Sequence, residues 1–410
     1  MNRLRHLMLL VAILLCVATS ASSAEAPGTR ESAVLKMFFA GDVKDHDAVF
    51  AESLLKLAPA AKLDEIRDLY RGKLGELREA AVRDGSCDLL FSRGKAPCKI
   101  HIDANGKVDM IWFGAWSLFN DDPATLAAEF GNLPGTVSVT VRRDDAERLF
   151  ALEPDRPLAV GSAFKLYVLK ALETASTAGR LFPETVARLD PALKTLPTGI
   201  CQDWPASTPV TLATLANLMI SMSDNTATDH LIAILGREAV EAVAPGRMRP
   251  FLTTMEMFRL KFTPDKARAE TFAKAGPEKR REMLATLGTA SVSFSDIPKD
   301  PAFIDSIEWF VTTDELCRVI HELRAHPATG INPGLVEKSR WHRVAFKGGS
   351  EPGVLNYTLA LQKAPASPTY ALSATINDPA REVDTKGFTE LVLRLISLIE
   401  EGRLSAPATR

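Results

Sequence analysis

Apolar residues recur at three- and four-residue intervals at Leu54, Leu55, Ala58, Leu63, Ile66, Leu69, Tyr70 and Leu74, the spacing of helices with one buried stripe. The pattern then changes to alternation over 98–103 and 108–113, on either side of Ala104-Asn105-Gly106. Asn-Gly favours the left-handed conformations of a tight hairpin, so an α+β module with its helices first and its strands last is expected. Asn120-Asp121-Asp122-Pro123 joins turn residues to a helix-start signal, followed by Leu126, Ala127 and Phe130 on one face. A second domain is expected to begin here. It opens with an alternating strand over 136–143 and another over 148–152; from Ala163 the period becomes helical, through Leu166, Leu169 and Leu172, with Ser162 at the helix start. Two further helical runs flank residues 223–225, and a strand-like stretch at 344–346 is followed by the apolar-rich segment 354–361.

Length supports the division. A single core stops growing near roughly 250–300 residues, and this chain has 410. The domains expected are 25–119 and 120–410, behind a leader at 1–24. In that leader Arg3 and Arg5 precede an apolar run of 12 residues from Leu7 to Ala18, and Ser22-Ser23-Ala24 ends in small residues, the form of a cleavable secretory signal. The run is shorter than the roughly 20 residues that span a bilayer, so a secreted or periplasmic protein without a transmembrane anchor is expected. Lys and Arg total 49 against 51 Asp and Glu, with no block of like charge, which argues against a nucleic-acid partner or an anionic-lipid surface. A small-molecule substrate fits better. In an oxidising compartment, Cys87 and Cys98, which bracket a strand and a Gly/Pro-containing turn, could close a hairpin as a disulfide. Cys201 and Cys317, far apart in sequence, read as buried thiols. No spacing of Cys, His or carboxylates suggests a metal site, and no cofactor motif occurs.

Three short motifs carry the candidate chemistry. Ser162-Ala163-Phe164-Lys165 puts a hydroxyl and an amine three residues apart, on one face of a helix. A serine becomes a competent nucleophile when a neighbouring base takes its proton, and a desolvated lysine can be that base. Ser223-Asp224-Asn225 lies between two helical runs, where each residue alone would be an ordinary N-cap. Lys347-Gly348-Gly349-Ser350 follows a strand-like Val344-Ala345-Phe346; alone it would be a glycine bulge with a solvated lysine. Val160-Gly161-Ser162-Ala163-Phe164 lacks the spacing of a Gly-x-Ser-x-Gly elbow. His230, five residues after Asn225, reads as a packing residue because a Ser–Lys design needs no imidazole.

Each motif alone is weak, but their conjunction in this order resembles the penicillin-recognising serine enzymes, the class A β-lactamases and their penicillin-binding relatives, with Ser-x-x-Lys, Ser-Asp-Asn and Lys-Thr-Gly signatures. The resemblance runs from about Asp122 to the C-terminus. It implies a β-lactamase/transpeptidase-like α/β domain, an antiparallel sheet flanked by helices plus an all-helical subdomain. The first module resembles the cone-shaped α+β fold of the NTF2/ketosteroid-isomerase-like group. By the resemblance Ser162 is the nucleophile, Lys165 its general base and Ser223 the proton relay to the leaving group. Asn225 and Lys347 would hold the substrate's amide and carboxylate, and the Gly349–Ser350 segment would complete the substrate site, with the N–H groups of Ser162 and Ser350 binding the oxyanion.

Two departures qualify the resemblance. Gly348 stands where the family has a hydroxyl, which weakens binding of a substrate carboxylate. Deacylation in class A enzymes uses a glutamate beyond Ser-Asp-Asn with an asparagine four positions later; Glu256 lies near the expected place, but Leu260 replaces the asparagine. Glu256 is a candidate catalytic residue on these grounds, and an early helix glutamate on others. The expected activity is an exported serine hydrolase acting through a Ser162 acyl-enzyme on β-lactam amides or related esters. An esterase or deacetylase, a D-alanyl carboxypeptidase, and a non-catalytic penicillin-binding or wall-fragment sensor stand as alternatives.

Overall fold

The computed structural model describes residues 28–404 except 84, 197, 263–264 and 289–291, so the expected leader at 1–24 lies outside the described residues. The chain divides into two compact units, Met1–Phe119 and Asn120–Arg410. Among the described residues, no helix is long and apolar enough to cross a membrane.

The first unit begins with helices, chiefly α1 (Thr29–Ala40) and α2 (Ala60–Leu74), and continues as an antiparallel sheet with the order β1 (Leu77–Arg83), β2 (Ser86–Phe91), β3 (Gly94–Ile102), β4 (Val108–Phe113), with Ser117–Leu118 pairing against the start of β3. Strict alternation along β2 buries Cys87, Leu89 and Phe91, as a sheet with one covered face requires. Phe38 and Phe39 of α1 meet Phe91 and Phe113 edge-on or stacked, with ring centroids 5.1–6.0 Å apart. The anticipated hairpin disulfide is corrected: Cys87 and Cys98 stand directly opposite one another in β2 and β3, yet both are free, buried thiols. The Cys98 thiol is hydrogen-bonded to Cys87 and desolvated, which pushes its pKa up and keeps it in the unreactive protonated form.

The second unit is built on a five-stranded antiparallel sheet. Its first strands are β5 (Thr136–Arg143) and β6 (Glu147–Leu152); its last are β7 (Arg343–Glu351), β8 (Val354–Gln362) and β9 (Thr369–Asn377), in the order β7-β8-β9-β5-β6. The N-terminal helix α3 (Pro123–Gly131), capped by Asp122, and a C-terminal helix, Thr385–Glu400, share a core with the sheet through Phe130, Phe150, Phe388 and Leu395. Buried Arg394 fastens the two helices by bonding Asp121 at 3.2 Å and Glu129 at 2.6 Å. A second core holds the helical part, including α4 (Lys165–Thr177), α5 (Leu212–Ser221), α6 (Asn225–Leu235) and α7 (Thr254–Phe262). The helix Thr313–Glu322 lies on the sheet between these layers, where Thr313 bonds Ser138 and Thr140 of β5 at 2.8 Å. The second unit thus has the antiparallel sheet flanked by helices, with a separate helical part, expected for the second domain.

Candidate active site

The nucleophile turn is held from both sides. Leu158–Ala159 pairs with Phe310–Val311, and the Val160 N–H donates to the Trp309 carbonyl at 3.2 Å. The Trp309 ring stacks on Phe164 with centroids 3.7 Å apart. The chain then passes through a 3-10 turn, Gly161–Phe164, before α4 begins at Lys165. Ser162 therefore sits in a tighter turn than the α-helical start expected from sequence, entered through Gly161 at φ +47°. Only glycine takes such a conformation without strain.

Lys165 is completely buried, and its amine is 3.3 Å from Ser162 Oγ. It also reaches Ser223 Oγ at 3.1 Å, the Ser223 carbonyl at 2.6 Å and Asn225 Oδ1 at 2.6 Å. Burial, followed by the positive charge of Lys347, holds its pKa well below that of an ordinary lysine, with Asp229 and Asp224 acting weakly in the opposite direction. A neutral amine has two hydrogens and one lone pair. The two carbonyl oxygens can only accept, so in that form they take both hydrogens and leave the lone pair for a hydroxyl, that of Ser162 or that of Ser223.

Ser223 occupies the left-handed region at φ +58° in the short connection between α5 and α6. Asp224 holds that shape: its buried carboxylate caps Ala227 N and accepts the N–H groups of Ile200 and Cys201 at 2.7 and 2.9 Å. Leu196 and Thr198 complete the clasp. Asn225 N donates to the Thr198 carbonyl, Asn225 Nδ2 donates to the Leu196 carbonyl, and the Thr198 hydroxyl donates to the Ser223 carbonyl. The third motif runs through β7 without a bulge, since Lys347, Gly348 and Gly349 face Thr358, Tyr357 and Asn356 in unbroken register. Buried Lys347 donates to Ser223 Oγ at 3.1 Å, and burial pushes its pKa down to about 7. A Cβ at Gly349 would lie 2.0 Å from the Val160 carbonyl oxygen and 2.5 Å from Ser162 N, while one at Gly161 would lie 3.0 Å from Ser350 N. The strand thus runs directly against the nucleophile turn, beside the backbone nitrogens of Ser162 and Ser350.

The structure therefore brings Ser162, Lys165, Ser223, Asn225, Lys347, Gly349 and Ser350 together. It does not bring Glu256 into the Lys165 hydrogen-bond cluster. Both Glu256 oxygens bind Arg237, at 2.6 and 3.0 Å, and one also caps the Thr253 N–H, so the carboxylate is committed to the start of α7. The carboxylate that sequence reading missed is Asp229, one helical turn after Asn225. It is buried, accepts Thr254 N at 2.8 Å and Met255 N at 3.0 Å, and desolvation pushes its pKa up to about 6. The i,i+4 spacing from Asn225 was the available signal. His230 is a buried packing residue: Nε2 accepts Asp190 N–H at 2.8 Å and Nδ1 donates to the Thr226 carbonyl at 2.7 Å. Among the described residues, no group of three or more Cys, His or carboxylates could hold a metal ion.

Residues 123–284 match the sequence model of the beta-lactamase enzyme family. That match, inside the second unit, and the three ordered motifs together support a serine hydrolase related to the β-lactamases. No curated protein matches the chain. Similar solved structures include the beta-lactamase from Sphaerobacter thermophilus DSM 20745, with 21% identity over 70% of this chain and 99% of that one at a TM-score of 0.47. The chromosome-encoded beta-lactamase of Vibrio parahaemolyticus shares 16% identity over 68% and 98% of the two chains at 0.45. PBP-A shares 18% over 68% and 96% at 0.42.

Proposed function

We propose that this hydrolase forms an acyl-enzyme on Ser162. The observation that carries the reading is the amine of Lys165, buried, lowered in pKa, held by the Ser223 and Asn225 carbonyls and 3.3 Å from the Ser162 hydroxyl. As Ser162 Oγ bonds to an ester or amide carbonyl carbon, its proton passes to Lys165. The oxyanion is held by the N–H groups of Ser162 and Ser350, each of which is worth about 10²–10³ in rate at comparable sites. Collapse of the tetrahedral species breaks the bond to the leaving group, which takes a proton through Ser223, placed between Lys165 and Lys347 at 3.1 Å from each. Water then releases the acyl group.

The substrate reading favours uncharged esters over fast β-lactam hydrolysis. Gly348 supplies no hydroxyl to help bind a carboxylate, and an added Cβ there would be tight, 3.0 Å from the Phe346 ring and 3.1 Å from the Asn356 carbonyl. Glu256 is occupied by Arg237, and Leu260 is buried; this supports slow deacylation of β-lactam adducts. Turnover of p-nitrophenyl acetate and nitrocefin by the wild-type protein and Ser162→Ala tests the reading. Ester turnover that exceeds nitrocefin turnover and vanishes in Ser162→Ala supports it. Rapid nitrocefin hydrolysis contradicts the substrate preference, and activity retained in Ser162→Ala contradicts the mechanism.

The basic start, apolar run and small residues of 1–24 support export to the periplasm or outside the cell. The helices-first, sheet-last order of the first unit, ending in the Asn105-Gly106 hairpin, supports an NTF2-like module.

A further inference from the structure

We propose that Lys261, clasped between Glu308 and Glu351, is a positioning residue for the oxyanion-binding edge of the site; this inference rests on the roles given above to Ser162 and Ser350. Lys261 Nζ donates to both oxygens of Glu351 at 2.7 and 2.9 Å and to Glu308 at 2.9 Å, and the Lys261 and Glu308 side chains are 0% exposed. Glu351 and Glu308 stand on segments that reach the nucleophile turn, and Lys261 stands on a helix tied to α6. Glu351 directly follows Ser350 at the end of β7 and, by strand alternation, lies on the same face as Lys347 and Gly349. Glu308 precedes Trp309, whose carbonyl holds Val160 N–H and whose ring stacks on Phe164. Lys261 lies in α7, whose first-turn N–H groups of Thr254 and Met255 are held by Asp229.

Fold stability gives little reason for such a cluster. Removing one ammonium and two carboxyls from water is costly, and well-packed apolar replacements of buried ionic groups are often neutral or stabilising. Burial and the adjoining Glu308 push Glu351 well above the usual carboxyl range, and the two acids converge on a single ammonium. What the cluster does provide is fixed geometry: three chain segments are tied at one atom, next to the strand that must keep Ser350 N against the Ser162 turn. Misplacing reacting groups by about 1 Å can cost about 10²-fold in rate.

The test uses the full chain, Lys261→Met, and an arylboronic acid that forms a tetrahedral adduct with a nucleophilic serine. The expected result is a roughly 10- to 100-fold fall in kcat for ester acylation, a parallel weakening of boronate binding, and an ester KM within about twofold of wild type. A purely structural role would instead lower Tm and the folded fraction while leaving both quantities unchanged per active site. Should Lys261→Met not fold, Lys261→Gln, of similar length and still a hydrogen-bond donor, is read by the same measurements. Boronate binding and kcat indifferent to Lys261 overturn the positioning role alone. A wild-type protein that takes no boronate on Ser162 overturns the hydrolase site and this inference with it.

Discussion

The Lys165 amine and the side-chain carbonyl of Asn225 are 2.6 Å apart, and that contact, with the one to the Ser223 carbonyl, holds the amine 3.3 Å from Ser162 Oγ. Lys165→Ala removes the base, and ester acylation should fall by about 10²–10⁴, the usual contribution of general base catalysis. Asn225→Leu keeps the amine but releases one of its hydrogens, so a smaller loss of about tenfold is expected from misorientation. Single-turnover acylation kinetics compare the two; equal rates in Lys165→Ala and wild type would remove lysine from the mechanism.

Lys347 gives a pH-dependence with a defined sign. Its folded pKa of about 7 lies below the ordinary 10.5, so between those values the unfolded chain binds the extra proton and stability rises with pH. Below pH 7 both states are protonated and the burial penalty is fully present. The slope of unfolding free energy against pH between 7 and 10 should therefore be flatter in Lys347→Met than in wild type. Denaturant titrations at several pH values measure it; identical slopes would contradict the burial of an ionisable amine there.

Gly349→Ala places a methyl group 2.0 Å from the Val160 carbonyl and 2.5 Å from Ser162 N. Backbone must move to admit it, and the movement separates the strand from the nucleophile turn. Ester kcat is expected to drop at least about 100-fold, comparable to the loss of an oxyanion donor, in protein that circular dichroism shows to be folded.

Glu256→Gln separates a structural glutamate from a catalytic one. With both oxygens bound to Arg237, its loss should lower Tm while leaving the deacylation rate of a preformed acyl-enzyme within about threefold of wild type. Loss of a general base would instead slow deacylation by about 10²–10⁴.

The two-unit division and the main strands of the second unit were legible because alternation and turn chemistry there agree with tertiary packing. The strand read at 136–143 is Thr136–Arg143 in the fold, where both faces are covered yet the turn signals mark its ends. Ser162, Lys165, Ser223, Asn225 and Lys347 could be found because each lies in a short motif and the motifs follow a recognisable order, although the contacts that join them span 58 residues from Lys165 to Ser223 and 124 from Ser223 to Lys347. Lys261, Glu308 and Glu351 belong to no such motif: their meaning comes from contacts between segments far apart in sequence, such as the 90 residues between Lys261 and Glu351. Glu256 illustrates the converse, a residue whose sequence position suggests chemistry while its partner, Arg237, appears only in three dimensions. The Cys87–Cys98 hairpin was legible as a register, whereas the oxidation state of its thiols was not.

The central claim is covalent chemistry at Ser162. Intact-mass spectrometry after brief exposure to a panel of penicillins, cephalosporins and p-nitrophenyl esters tests it most directly. The expected result is a single adduct of acyl mass in the wild-type protein, mapped to the peptide containing Ser162 and absent from Ser162→Ala. The absence of an adduct and of turnover with every compound, or adducts that persist in Ser162→Ala, would contradict it.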